Sequence, residues 1–452
     1  MLKKKKIRLL LTHRLSDIFL RLKSSPLFRD SFWAVLGNII EKGLSLISGV
    51  IVARLLTKEI YGEYGVLKDS LLMIGTFSSF GLAYTATKFI AEKHTKENTD
   101  LPGVYAIHIT STIITVIASA IVGVLSFIYS DLIADLINIS HLADFIKYLS
   151  VAIVFNALNA MQIGELSGFG AYKKMSINNA LIGIVTFVTT IPLTYYKGLQ
   201  GAILALLIAN IARFIVNRFT LKDYIPLFFR LDKRTILSTF VDISSFSLPI
   251  ALQETLYSLS HWTMMLIMIK MSDFGEIGIM TAANQWAFVL LFVPGTLKNV
   301  SLAYLSKTNN DLGENRGILK TLLAVNFAMT FIPFIIFVVL SRWICSLYGD
   351  SYDGLQMVYV AVLGAAVVNS LANVLSSELM AYKQNWYLFA YRLLRDVLML
   401  LGLYILLRYR LVSGALSMAL VNLIMGLGYF SLLYIKTLKI HRYDKHRFLY
   451  RS

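Results

Sequence analysis

YGEYG at Tyr61–Gly65 returns as FGEIG at Phe274–Gly278, 213 positions downstream. The same offset carries Glu41 onto Glu254, Ser45 onto Ser258, Asn156 onto Asn369, Glu165-Leu166 onto Glu378-Leu379 and Gly201-Ala202 onto Gly414-Ala415. One constant displacement across separate regions indicates an internal duplication, and a repeat of this length decides the architecture before any single element is assigned. If each copy holds an even number of membrane crossings, the copies share an orientation and are related about an axis along the membrane normal.

The crossings are plain in the composition. Of 452 residues, 57% are hydrophobic and 15% charged, and apolar runs near the ~20 residues that cross ~30 Å of hydrocarbon recur along the chain. Twelve are expected, over 31–54, 66–90, 104–128, 144–170, 175–196, 199–219, 239–270, 277–304, 318–341, 355–381, 385–407 and 412–435. The reading is an all-α polytopic membrane protein of two parallel-repeat lobes around a central cavity. A first lobe spans 31–220 and a second 239–436, joined by a linker over 221–238, with a basic amphipathic segment at 1–30 and a basic tail at 437–452.

Orientation follows from the loops, because Lys and Arg stay on the cytoplasmic side. The two tails and the even-numbered loops hold 29 of them, against 6 in the odd-numbered loops, so both termini are cytoplasmic. That partition also disposes of nucleic acid as a partner. A net charge of +17 would suggest it in a soluble chain, yet here the cations follow loop parity instead of forming one face. Leu10, Leu11, Leu15, Ile18 and Leu22, with Arg8, Arg14 and Arg21 between them, read as a helix lying on anionic membrane lipids. Cys345 is the only cysteine, so no intramolecular disulfide forms. No motif for a metal, a cofactor, a nucleotide or a catalytic nucleophile is found, and the short loops leave no room for a soluble catalytic domain. The chain does not read as an enzyme.

Charge inside the spans is the functional clue, since a charged side chain at the bilayer centre costs roughly 2.5 to 3.5 kcal/mol on the insertion scale. Glu254, Tyr257, Ser258 and His261 fall at i, i+3, i+4 and i+7 on one helical face, and Asn38, Glu41, Ser45 and Ser48 repeat the stripe in the first copy. Both stripes are expected to face the central cavity, although polar groups also tie helices together. Glu41, Glu254 and His261 are the candidates for a coupling ion, H⁺ or Na⁺, because a carboxyl in apolar surroundings can take up a proton near neutral pH. Lys42, Arg213, Lys298, Arg392 and Arg395 are the cations expected inside the spans, where such charges usually face a wet cavity or a partner, and Tyr257, on the polar stripe, could stack on a sugar ring. Arg392 and Asp396, four apart, can pair within their helix. The repeat-related pairs Asn156 with Asn369 and Glu165 with Glu378 fit a structural role as well as a functional one. Gly62 and Gly65 are expected to form a tight turn, glycine accepting positive φ without penalty.

ARLLTKEIYGEYG (Ala53–Gly65) and SGFGAYKKMSI (Ser167–Ile177) are similar to signatures of the polysaccharide-transporter branch of the multidrug/oligosaccharidyl-lipid/polysaccharide exporter superfamily. That branch holds the O-antigen flippases. The chain resembles it over its whole length: twelve crossings, cytoplasmic termini, two six-helix lobes and short loops. The resemblance implies a cargo, an oligosaccharide on an undecaprenyl-diphosphate carrier, moved from the inner to the outer leaflet of a bacterial plasma membrane for O-antigen, capsule or exopolysaccharide synthesis. A polysaccharide polymerase and a chain-length regulator would be its partners. Such a cargo needs a wet groove, since each unpaired hydroxyl entering hydrocarbon costs roughly 2 to 7 kcal/mol, and its diphosphate needs cations, which the resemblance implies are some of Lys42, Arg213, Lys298, Arg392 and Arg395, the arginines by bidentate hydrogen bonds. Alternating access driven by an ion gradient or the membrane potential follows from two rocking lobes. The nearest rival is an ion-coupled multidrug exporter of the same superfamily. A cationic drug prefers an acidic, aromatic pocket, whereas Lys and Arg are prominent among the charges here.

Overall fold

The structure, a computed structural model, describes residues 26–449 apart from 80, 95–98, 226–231, 309–311 and 383. The amphipathic segment expected at 1–30 falls almost wholly outside these residues. Twelve helices carry the crossings: α1 Pro26–Leu55, α2 Lys58–Ser79, α3 Leu82–Lys93, α4 Leu101–Ile128, α5 Ala143–Gly168, α6 Tyr172–Leu221, α7 Lys233–Met271, α8 Phe274–Thr308, α9 Leu312–Val339, α10 Leu355–Ala381, α11 Asn385–Arg408 and α12 Gly414–Leu449. Among the described residues the one extended pairing is an isolated bridge between His94 and Thr99.

Twelve helices and twelve spans correspond with two adjustments. The second span is α2 plus α3, bent by 43° at Gly81 (φ 66°). Spans five and six are the single 50-residue α6, broken at Gly198 (φ 55°, ψ −134°). Six helices among the described residues are long and apolar enough to cross a membrane by length and composition, α6 among them, and the bent pair adds a seventh. The remaining helices α1, α7, α8 and α11, at 30, 39, 35 and 24 residues, each exceed 30 Å at 1.5 Å per residue. α12 continues past the expected boundary at 436, so the basic tail begins as the last turns of a helix.

The duplication is visible in the helix ends. α5 and α10 close at Gly168 and Ala381, and α6 and α11 open at Tyr172 and Asn385, both pairs 213 residues apart. Where the first copy breaks at Gly81, the second has Pro294 inside an uninterrupted α8.

The two copies pack differently. In the first lobe α1 lies along α6, whereas α7, its counterpart, packs more against α2 and α4 of the other lobe than against α8, α11 or α12 of its own. Ile243 of α7 is buried in a cluster with Leu82, Ile90 and Val104. Ser247 and Thr85 share a hydrogen bond of 2.7 Å, and the Phe246 ring meets Phe89 edge-on at 5.8 Å under the ammonium of Lys88. Higher on the same helix Ser258 donates to Thr76 (3.1 Å) and Trp262 Nε1 to Ser70 (3.1 Å). Span seven therefore belongs to the second repeat by sequence and to the first lobe by packing.

The outer ends of the lobes meet through the opening motif. Gly62 and Gly65 are not in a turn: both are buried inside α2, and neither has positive φ. A Cβ on Gly62 would overlap the carbonyl oxygen of Phe274, and one on Gly278 that of Lys58. The repeated glycines let α2 and α8 cross at backbone contact, the arrangement small residues provide between membrane helices. Gln285 Nε2 donating to Tyr61 Oη and Tyr352 Oη donating to the Ala53 carbonyl (3.0 Å) extend this closure.

Candidate functional site

The first lobe gathers its intramembrane charge where α1 crosses α6. A Cβ on Gly37 would overlap the backbone of Ser176, and one on Gly183 would lie 2.8 Å from the Cα of Glu41. These two glycines bring the helices close enough for Arg213 to reach across. Its Nη2 donates to Glu41 Oε1 at 2.7 Å and its Nη1 to Asn179 Oδ1 at 3.3 Å. Asn179 Nδ2 in turn donates to Asn38 Oδ1 at 3.2 Å. The side chains of Arg213 and Glu41 keep 20% and 13% of their surface accessible. The pair is thus sheltered but reachable, a setting in which a charge-assisted bond is strong.

The expected stripe over Asn38, Glu41, Ser45 and Ser48 is therefore divided. Asn38 and Glu41 face α6 within their own lobe instead of a cavity between lobes, because the glycine-lined crossing buries that side of α1. Ser48 is buried and Ser45 exposed. Lys42 is exposed, one residue and 100° around the helix from Glu41.

In the second lobe the offset places Glu254, Arg392 and Gly426 where the first has Glu41, Asn179 and Arg213. At these three positions each repeat has one carboxylate and one guanidinium, the arginine standing in the sixth crossing of the first repeat and in the counterpart of the fifth in the second. The side chains of Glu254, Tyr257 and Lys298 lie outside the described residues. Arg392 is exposed. Asp396, the partner expected for Arg392, is held by Arg395, which donates to its Oδ1 from Nε and Nη2 at 2.9 and 2.6 Å, with its guanidinium 5.0 Å from the Tyr429 ring centre. Of the candidate cations, Arg213 is held by Glu41 in one lobe and Arg395 by Asp396 in the other.

His261 faces the other lobe, its Nε2 3.9 Å from Asp69 Oδ2 of α2, and both side chains are at least one-third exposed. Asn156 and Asn369 diverge despite equivalent positions: Asn156 Oδ1 lies over Gly75 of α2, Asn369 Oδ1 over Gly426 of α12.

Glu165 and Glu378 are more enclosed than any other candidate carboxylate described, each with no accessible surface. Glu165 Oε1 is 2.7 Å from His108 Nδ1, and Arg218 Nη1 is 3.3 Å from His108 Nε2. Glu378 Oε1 is 2.8 Å from His441 Nε2, and Asn315 Nδ2 reaches Glu378 Oε2 at 3.5 Å. Sequence reasoning missed His108, Arg218 and His441. A histidine within the apolar run 104–128 was the available signal for the first. His441 lies beyond the last span and carried no signal, because only the continuation of α12 brings it back onto α10.

Comparison with known proteins places this geometry. Residues 27–308 match the family described as polysaccharide biosynthesis protein. An uncharacterized membrane protein of Methanocaldococcus jannaschii, MJ1375, is 25% identical over 248 residues, 52% of this chain and 56% of that protein. The lipopolysaccharide biosynthesis protein WzxC of Escherichia coli K12 is 30% identical over 125 residues, 27% of this chain and 23% of WzxC. The matches thus span about half of one relative and a quarter of the other. Among solved structures, an inward-facing multidrug resistance MATE family transporter of the MOP superfamily superposes with TM-score 0.74 at 14% identity, over 91% of this chain and 99% of that one. The lipid II flippase MurJ in an inward closed conformation superposes with TM-score 0.68 at 15% identity, over 89% and 87%. At such identities the two likenesses speak for the fold alone.

Proposed function

This chain belongs to the polysaccharide biosynthesis protein family, within the polysaccharide-transporter branch of the MOP superfamily, and from that premise we propose that it flips an undecaprenyl-diphosphate-linked oligosaccharide from the inner to the outer leaflet of a bacterial plasma membrane. The protein is a multi-pass membrane transporter; the cargo, its direction and the coupling are our reading. The observation that carries it is Arg213, a permanently charged guanidinium held within the membrane at 20% exposure, on a chain that adds Arg392 and Arg395 in the other lobe. Arginine matches phosphate oxygens bidentately and cannot shed its charge. Such groups attract a diphosphate and repel a cationic drug. The sugars travel in a hydrated groove between the lobes while the polyprenyl tail stays in lipid, and the energy comes from an ion gradient or the membrane potential. One elementary charge crossing 100 mV supplies about 2.3 kcal/mol.

The test is the lipid-linked oligosaccharide pool of a deletion strain, assayed for sidedness by periplasmic accessibility. Accumulation on the cytoplasmic side, reversed by complementation with the wild type and not with Arg213→Gln, is the expected result. An unchanged pool with raised sensitivity to cationic compounds would instead favour the multidrug exporter.

A further inference from the structure

Asp69 of α2 and His261 of α7 meet across the seam between the lobes, and the duplication gives this pair no counterpart. The 213-residue offset carries Asp69 onto Ala282 and His261 onto Ser48, both of them buried. We propose that Asp69 and His261 form a sugar subsite: one hydroxyl of the cargo's glycan bridges them, donating to the carboxylate and accepting from the imidazole, and the carboxylate selects an uncharged sugar over an acidic one. The inference rests on the flippase reading and adds the class of sugar together with the residues that recognise it.

The depth suits a transported group. Asp69 stands eleven residues in from the outer end of α2, and His261 ten residues short of the outer end of α7. That is roughly 15 Å at 1.5 Å per residue, the middle of a ~30 Å hydrocarbon core, where transporters hold their substrates. Asp69 lies deep among protein atoms, yet 35% of its side-chain surface is accessible, and 46% of that of His261. A charge turned to lipid at this depth is costly, so the opening that the two share belongs to the wet groove between the lobes.

The spacing suits a hydroxyl. Trp262 Nε1 donates to Ser70 and Ser258 to Thr76, each at 3.1 Å, and these bonds tie α2 to α7 at this level. Beside them His261 Nε2 and Asp69 Oδ2 stay 3.9 Å apart, too far to bond each other. An oxygen about 2.75 Å from both atoms sees them at an angle of about 90°, near that between the proton and a lone pair of a hydroxyl. A hydroxyl has one proton to give and lone pairs that accept, an ionised carboxylate only accepts, and an imidazole N–H gives. An anionic group at the same point meets Asp69 directly, and like charges brought together cost several kcal/mol. Lys68, the next residue, stands 100° round α2 from Asp69. In the equivalent seam between α1 and α8, Ser48 and Ala282 offer neither charge nor opening.

The experiment measures binding to the full chain in lipid nanodiscs. The probes are methyl glycosides in matched pairs that differ at one carbon (glucoside with glucuronide, galactoside with galacturonide, mannoside with mannuronide) and, separately, a polyprenyl diphosphate. The wild type should bind the neutral member of a pair about tenfold more tightly than the acidic one. Asp69→Asn keeps a hydrogen-bonding group without the charge and should abolish that preference. His261→Gln, whose amide nitrogen falls near the Nε2 position, should keep it. Asp69→Leu and His261→Leu should lose the glycosides and still bind the polyprenyl diphosphate. A wild type that binds no glycoside or favours neither member of a pair, or an Asp69→Leu variant that binds neutral glycosides as the wild type does, overturns the subsite; the flippase reading then stands on the polyprenyl diphosphate. If that lipid fails to bind while a lipophilic cation does, the flippase reading falls and the subsite falls with it.

Discussion

Glu165 and Glu378 occupy equivalent positions of the two repeats, both without accessible surface, yet each is held by a histidine from a different place: His108 on α4 and His441 at the cytoplasmic end of α12. The position has conserved its carboxylate through the duplication and solved its burial twice. The ring atoms differ as well. Arg218 can only donate to His108 Nε2, so the His108 proton sits on Nδ1 and is donated to Glu165. At Glu378 the donor is Nε2 of His441.

This difference predicts a crossover in substitutions. Asparagine carries its amide nitrogen near the Nδ1 position and glutamine near Nε2. His108→Asn and His441→Gln should therefore stay close to wild-type thermal stability in detergent. His108→Leu and His441→Leu leave a buried carboxylate unpaired and should each cost about 3 to 5 kcal/mol. Melting curves of the four variants check the assignment.

The backbone contact between α2 and α8 predicts that bulk at its glycines keeps the outer ends of the lobes apart. Gly62→Val and Gly278→Val each place a side chain where a carbonyl oxygen stands, and overpacking costs typically about 1 to 3 kcal/mol. Spin labels at the outer ends of α1 and α8 should report a longer distance in both variants, with export reduced while the protein still reaches the membrane.

A cross-link should report the attachment of α7 to the first lobe. Thr85 and Ser247 touch through their hydroxyls at 2.7 Å. Thr85→Cys with Ser247→Cys, on a Cys345→Ser background, is expected to oxidise to a disulfide seen as a gel shift. If the lobes rock, that bond arrests export and reductant restores it.

Acid should loosen the cytoplasmic turn into α4. Asp100 caps this helix by accepting from the Gly103 N–H at 3.0 Å and pairs with Lys93 at 2.9 Å. The hydrogen bond from Lys93, then that from Gly103, hold its carboxyl below the usual range. A depressed value means the stabilisation is present above the ordinary carboxylate pKa of about 3.9 and is lost as pH falls through the lowered one. Both partners are nearly half exposed, so the ion pair adds little and the cap dominates. Asp100→Ala should cost about 0.5 to 2 kcal/mol and Asp100→Asn much less, read as faster amide exchange over residues 101–104.

The sequence by itself determined the duplication, the twelve crossings, their orientation and the residues that carry charge into the membrane. Each follows from a property local to the chain: an offset between like residues, a run of apolar side chains, the parity of basic loops. Helical spacing also showed that Asn38 and Glu41 share a face. Only the tertiary structure decided what that face meets. Periodicity assigns side chains to a common side of a helix, but the neighbour on that side is chosen by packing over the whole molecule. Thus Glu41 faces Arg213 across a crossing opened by Gly37 and Gly183, Arg395 holds Asp396, and α7 packs more on the other lobe than on its own. Gly62 and Gly278 carry the same lesson. A glycine in a membrane sequence signals either a bend in its own chain or room for another, and the two are told apart by the backbone that arrives from elsewhere.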